Sequence, residues 1–279
     1  MLLEFFKFII YSGSIVLISK YILVKTLRKL AENMNLKPKT IGNIAGIATS
    51  IPEFLTVTIS SLKGLFSVTI YNVLSSNVIN FIQYIFAIIL NKNTNMIKNK
   101  AIQIDILLVI ITILIPLLII ILRMEVKIVL IPIFLILYLL FIIINNISHK
   151  KYLAMEGIQL EKISDKEKEK NKKKIIVYII IILIVGIFLY ILGEELGKVL
   201  EDFANKYNIP EVIIGILLGV VTSIPELITF LESQRHHKNK LNDTSGVVEA
   251  TNNLLSSNIL NLFIIQSIGI LVYMLIIWK

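Results

Sequence analysis

Eight apolar stretches dominate this chain, at about 2–24, 41–62, 65–90, 101–122, 126–144, 175–197, 209–232 and 247–277. Segments such as Ile102–Leu122 and Ile175–Leu192 approach the roughly 20 residues a helix needs to cross the hydrocarbon of a bilayer. A soluble domain of this length could bury a good core without so many uninterrupted runs. The first stretch, Leu2–Val24, is too long for a signal-peptide core and lacks a small-residue cleavage site, so it reads as a spanning helix. The pattern predicts an all-α polytopic membrane protein with about eight transmembrane helices.

Composition fits that picture: 56% of the 279 residues are hydrophobic and the mean hydropathy is +0.83. The absence of cysteine excludes disulfides, thiolate metal sites and thiol catalysis. A net charge of +9 would suit nucleic acid in a soluble protein, but in a membrane protein it records orientation, and no nucleic-acid partner is expected. With the N-terminus outside, 20 of the 28 Lys and Arg residues fall in the cytoplasmic connections, six fall outside, and Lys7 and Lys20 lie within the first span. That excess is what the positive-inside rule predicts, and it makes the loop 145–174 cytoplasmic.

The one extended polar stretch, Ser148–Lys174, divides the chain into a transmembrane half at 1–147, a charged loop at 148–174 and a second half at 175–279. The loop reads first as a solvated linker. Its lysines beside a span also suit a regulatory role or anionic headgroups, which makes membrane lipid a partner.

The halves carry an internal repeat. Gly46–Thr56 reads GIATSIPEFLT and Gly219–Thr229 reads GVVTSIPELIT, identical at seven of eleven positions. Asn72–Asn80 (NVLSSNVIN) and Asn253–Asn261 (NLLSSNILN) share six of nine. The second span and the seventh start from opposite sides, so the repeats are inverted. Inverted repeats with interrupted helices place a substrate site near the midplane, where the repeats meet.

Glu53 and Glu226 lie inside apolar spans, where an ionisable group needs a polar cavity or a partner. Pro52 and Pro225 precede them, and each proline frees the carbonyl four residues back, on Ala48 and Val221. Thr49 and Thr222 fall one turn before each glutamate, on the same face. Ser76 with Asn80, and Ser257 with Asn261, are four apart and share a face likewise. Oxygen donors from four helices around two carboxylates suit a hard cation, which takes six to eight oxygens. Gly42 with Gly46, Gly215 with Gly219, Ser75 and Ser256 are small enough for close helix approach.

A single buried glutamate after proline is explained by a hydrogen bond to a neighbouring helix, and lone Ser or Asn residues are common interhelical glue. Two copies in inverted halves favour a site. His236 and His237 sit in a charged loop with no carboxylate at ligand spacing, and Asn242, Asp243 and Glu249 read as surface. No nucleophile–base pair, phosphate loop or zinc signature is present, so no enzyme is expected.

At these residues the sequence resembles the calcium:cation antiporter superfamily, the sodium/calcium exchangers and their relatives. The matching strings are ATSIPE at 48–53 with SSNVIN at 75–80, and VTSIPE at 221–226 with SSNILN at 256–261. The motif regions cover about 80 residues. The resemblance implies that Glu53 and Glu226 are the principal calcium ligands. Thr49, Ser50, Ser76 and Asn80 would line the site from the first repeat, and Thr222, Ser223, Ser257 and Asn261 from the second. It further implies alternating access, with the first and sixth helices moving across a core formed by the repeats. Transport of calcium against sodium or protons would then need no cofactor.

Departures from the family pattern matter. The glycine before T-S is Ala48 or Val221 here, and the glycine before S-N is Ser75 or Ser256. Asn261 stands where sodium-coupled members often carry Asp, which brings proton coupling through the glutamates into competition with sodium. Glu226 lies 31 residues before Ser257 while Glu53 lies 23 before Ser76, an eight-residue insertion around RHHKNK. The family usually has ten spans, and only three are read in the second half. The missing pair would leave a face that a homo-oligomer could cover. It also keeps a non-transporting cation-binding or sensor protein of the same fold as an alternative to the antiporter. A passive channel fits the proline-broken carboxylate helices less well.

Overall fold

The computed structural model describes residues 2–34, 38–122, 128–153, 172–238 and 243–277. α1 (Leu2–Ile18) runs through a π-helical stretch at Ser19–Val24 into α2 (Lys25–Asn33). α3 (Pro38–Thr49) and α4 (Ile51–Leu62) form one span interrupted at Ser50, and α5 (Phe66–Leu90) returns beside them. α6 (Lys100–Ile121) and α7 (Leu130–Ser148) follow, α7 continuing as a π-helix over His149–Leu153. α8 (Lys172–Glu201) opens the second half and is likewise prolonged over Asp202–Lys206. α9 (Glu211–Thr222) and α10 (Ile224–Lys238) are interrupted at Ser223, and α11 (Asp243–Ile259) joins α12 (Gln266–Ile277) through π-helical Leu260–Ile265.

Among the described residues eight helices are long and apolar enough to cross a membrane, one in each expected stretch. Several outlast their apolar run: the first reaches Leu27, the fifth Tyr152 and the sixth Lys206. Hydropathy marks where hydrocarbon ends, whereas the backbone ladder continues into polar sequence. His149, expected in the linker, therefore belongs to the end of the fifth span. The rest of the expected linker, 154–171, lies outside the described residues, as do Asn242 and the side chains of His236, His237 and Asp243.

The two interruptions match. Ser50 has φ −81° and ψ 2°, and Ser223 has φ −80° and ψ 0°. In each case the proline two residues on lacks an N–H and crowds the preceding turn, so the helix yields there.

Each half packs its small-residue face on the other half. An ideal Cβ at Gly46 would lie 2.6 Å from the Asn253 carbonyl and 2.7 Å from the Ser256 Cβ, and Gly42 is pressed onto the Glu249 carbonyl. A Cβ at Gly215 would lie 2.7 Å from the Val68 carbonyl, and one at Gly219 2.8 Å from that of Asn72. Gly42 and Gly46 thus meet successively later residues of α11, so α3 and α11 run parallel. By the same reading α9 runs parallel to α5. Because α5 reverses α4 through a turn at Gly64 (φ 75°), α9 runs opposite to α3, and the repeats are inverted in space. The crossing extends beyond the repeated motif to Glu249, which is 2% exposed and so is not the surface residue its sequence context suggests.

The apolar interior has two parts. One, including Tyr84, Leu108, Phe134, Phe230 and Phe263, joins the repeats to α6 and α7. The other, including Phe8, Ile15, Leu196, Leu200 and Ile214, joins α1 and α8 to the outer side of α4 and α9. A separate polar knot ties α6 to α7. Asp105, fully buried, accepts from Asn145 Nδ2 at 2.8 Å and pairs with His149 Nε2 at 2.6 Å. Asn145 also donates to Asn252 Oδ1 of α11 at 3.3 Å.

Candidate functional site

The ten residues singled out in the repeats all lie inside the protein, none more than 2% exposed. Glu53 and Glu226 sit just past the two helix interruptions, at the start of α4 and α10. Each carboxylate faces across the repeat boundary. Glu53 lies near Ser76 of its own repeat and Thr222 of the other, and Glu226 near Ser257 of its own and Thr49 of the other; of these four hydroxyls, those of Ser76, Thr222 and Thr49 donate elsewhere. The two carboxylates also act on each other electrostatically. This crosswise set is the consequence of α3 lying on α11 and α5 on α9.

Hydrogen bonds divide the ten residues by task. Ser257 Oγ donates to Glu226 Oε1 at 3.1 Å. Asn80 Nδ2 donates to Ser257 Oγ at 3.3 Å and to Asn258 Oδ1 at 3.2 Å. Asn261 Nδ2 donates to Asn77 Oδ1 at 3.3 Å, and Ser76 Oγ to Asn72 Oδ1 at 3.3 Å. Thr49 and Thr222 bond back to the carbonyls of Gly46 (3.2 Å) and Leu218 (2.9 Å) within their own helices. Ser50 and Ser223 act more as pins between repeats. The Ser50 and Ser257 hydroxyls are 2.8 Å apart, and Ser223 Oγ donates to the Ser76 carbonyl at 3.5 Å.

What remains is a set of acceptors. Both carboxylate oxygens of Glu53, Glu226 Oε2, and the amide oxygens of Asn80 and Asn261 are buried without a hydrogen-bond partner. Buried acceptors left unpaired cost about 1–3 kcal/mol each. A group of them, with the Asn80 and Asn261 amide nitrogens engaged elsewhere, suits a hard cation, which replaces the missing donors. Among the described residues no three His, Cys, Asp or Glu side chains cluster, so the acidity of the site comes from the glutamate pair, while amides and hydroxyls supply neutral oxygen.

The sequence reading passed over a second layer. Asn77 Nδ2 donates to the Asn258 carbonyl at 3.2 Å and Asn258 Nδ2 to the Asn77 carbonyl at 3.1 Å, a reciprocal pair between the repeats. Asn72 donates to Thr56 Oγ1 at 2.7 Å and Asn253 to Thr229 Oγ1 at 2.5 Å. Those threonines in turn bond the Glu53 and Glu226 carbonyls at 3.1 and 2.8 Å. All six residues were present in the repeated strings. Their identity across the repeats was the available signal.

A cavity of about 560 Å³ opens between the first span and α10. Its wall near the site is Pro225 and Thr229, which flank Glu226 in sequence, and farther out it is lined by Lys20, Lys25, Lys29 and Arg235.

The model of the sodium/calcium exchanger protein family matches residues 5–146 and 177–278. The chain belongs to that family. Membership places it among cation-exchange transporters of the membrane. The structure of the sodium-calcium exchanger NCX_Mj soaked with 10 mM Na+ and zero Ca2+ is similar at a TM-score of 0.55 and 21% identity, over 98% of this chain and 84% of that one. The same exchanger soaked with 2.5 mM Na+ and 0.1 mM Ca2+ gives 0.53 and 22%, over 98% and 83%. This likeness establishes that the exchanger-family chain has the exchanger fold. No curated protein matches it.

Proposed function

We propose that this chain is a secondary active antiporter that exchanges calcium, or a related cation, for sodium or protons by alternating access. The observation that carries the reading is the Glu53–Glu226 pair at the repeat boundary, surrounded by buried oxygens that lack donors. Glu53 and Glu226 hold the cation as its charged ligands. Ser76, Asn80, Thr49, Thr222, Ser257 and Asn261 supply neutral oxygens, and Ser50 and Ser223 keep the two interrupted helices in register. Two formal negative charges match one divalent ion, and the same pair could take up protons on the return step. The N-terminus lies outside, with the lysine-rich connections in the cytoplasm, as the distribution of Lys and Arg favours. The cavity beside α10 is then the cytoplasmic approach to Glu226, and the first and sixth spans move to close it.

The test is calcium-45 uptake into proteoliposomes loaded with sodium, and separately into vesicles with an imposed pH gradient. Uptake driven by one gradient names the coupling ion. Glu53→Gln and Glu226→Gln are each expected to reduce exchange at least a hundredfold while eluting as folded protein. Wild-type rates in either variant would discard the site.

A further inference from the structure

The cavity beside α10 has a charge pattern that ion transport does not call for. Lys20, Lys25 and Lys29 on one wall and Arg235 on the other face it, against a single carboxylate, Glu232. Lys25, Lys29, Arg235 and Glu232 form no ion pair with any described residue. Lys20 is held by Tyr21, its Nζ 2.8 Å from the phenol oxygen and 4.1 Å from the ring centre. Tyr21 is 58% exposed at the rim, and Val24, Pro225 and Ile228 make the deeper wall apolar. A cavity of this size holds a small organic headgroup, and a basic pocket between spans with an apolar wall suits an anionic lipid better than a free cation.

We propose that the basic rim of this cavity binds a phosphate-bearing anionic headgroup, contacted by Lys25, Lys29 and Arg235. Four positive charges against the one negative charge of Glu232 leave a net +3 at the mouth of a cation path, which repels the ion within the screening distance of about 8 Å at physiological salt. A bound phosphate lowers that charge. On the antiport reading of the site, which this consequence rests on, anionic lipid is then a condition for rapid cation access to Glu226 rather than a passive surrounding.

Binding is read on the purified full-length protein in detergent by native mass spectrometry. The probes are dioleoyl-phosphatidylglycerol, dioleoyl-phosphatidylcholine and inorganic phosphate. One phosphatidylglycerol is expected to bind at least tenfold more tightly than phosphatidylcholine. Lys25→Gln/Lys29→Gln/Arg235→Gln is expected to weaken it about a hundredfold, from about 1 kcal/mol per basic residue, while Lys92→Gln/Lys98→Gln in another basic connection leaves it unchanged. Glu232→Gln removes the opposing charge and is expected to tighten binding several-fold, a gain that a folding defect cannot imitate. Full displacement by millimolar inorganic phosphate assigns the site to soluble phosphate, and resistance to it assigns the site to lipid; both keep the anion site. Equal affinity for the two lipids, or equal affinity in the triple variant and wild type, overturns it. These readings need no transport, so they fail separately from the antiport reading. In vesicles, uptake by wild type should rise several-fold with phosphatidylglycerol, and uptake by the triple variant should not.

Discussion

At the scale of single residues, the side chains that join the two halves rival those proposed to touch the ion. Asn77 and Asn258 exchange hydrogen bonds between the repeats. Asn77→Ala strips the buried Asn261 amide of its acceptor and Asn258→Ala takes one from Asn80 Nδ2, so each is expected to destabilise by about 1–3 kcal/mol. Thermal unfolding in detergent measures this, and the double variant should lose less than the sum because the partners share one network. The reading by i, i+4 spacing chose Asn80 and Asn261, on the face of Ser76 and Ser257. Asn77 and Asn258 lie off that face, where the repeats touch each other, and spacing within one helix carries no information about a contact between two. Asp105 and His149 were invisible for a related reason, since the pair closes over 44 residues of chain. Asp105→Ala takes a buried acceptor from Asn145 and a partner from the His149 ring, at a cost of about 1–3 kcal/mol for each group left unpaired, so it should lower the unfolding midpoint by several degrees.

At the scale of elements, glycine decides how closely helices cross. A methyl group at Gly46 or Gly219 would meet backbone carbonyl oxygen at 2.6 or 2.8 Å, and backbone cannot swing aside as a flexible side chain can. Gly46→Ala and Gly219→Ala are therefore expected to push α3 from α11 and α9 from α5, lowering both stability and calcium binding. Gly186→Ala, with nothing within 4 Å of the added carbon, should be neutral or stabilise by up to about 1 kcal/mol through helix propensity. Parallel unfolding curves for the three variants check the contrast. The motif glycines, the paired helix interruptions and the number of spans were legible in the sequence, because each is a local property of composition. Helix ends were less so, as the prolonged first, fifth and sixth spans show. Glu249 was misread since its surroundings in sequence are polar while its burial comes from Gly42, more than two hundred positions away.

At the scale of the whole molecule, the two apolar interiors describe two bodies in contact. α8 meets α4 through Gly193 and Gly197 against Ile59, a smooth surface, and Lys63 pairs with Glu201 at 2.8 Å at one end of it. An ideal Cβ on Gly197 lies 3.7 Å from the Ile59 Cβ, within the range a disulfide bridges. The chain has no cysteine of its own, so Ile59→Cys/Gly197→Cys should cross-link cleanly on oxidation. If α8 slides over α4 during exchange, oxidation arrests calcium uptake and reductant restores it; undiminished uptake by the cross-linked protein would rule the movement out. The exchange of helix partners between halves also has a consequence for how the molecule is made. When α3 leaves the ribosome, the α11 surface that covers Gly42 and Gly46 has not been translated. At about 5–20 residues per second, the intervening stretch takes on the order of 10–40 s. For that interval the face of the first half that carries Gly42 and Gly46 lacks the partner that covers it in the folded protein.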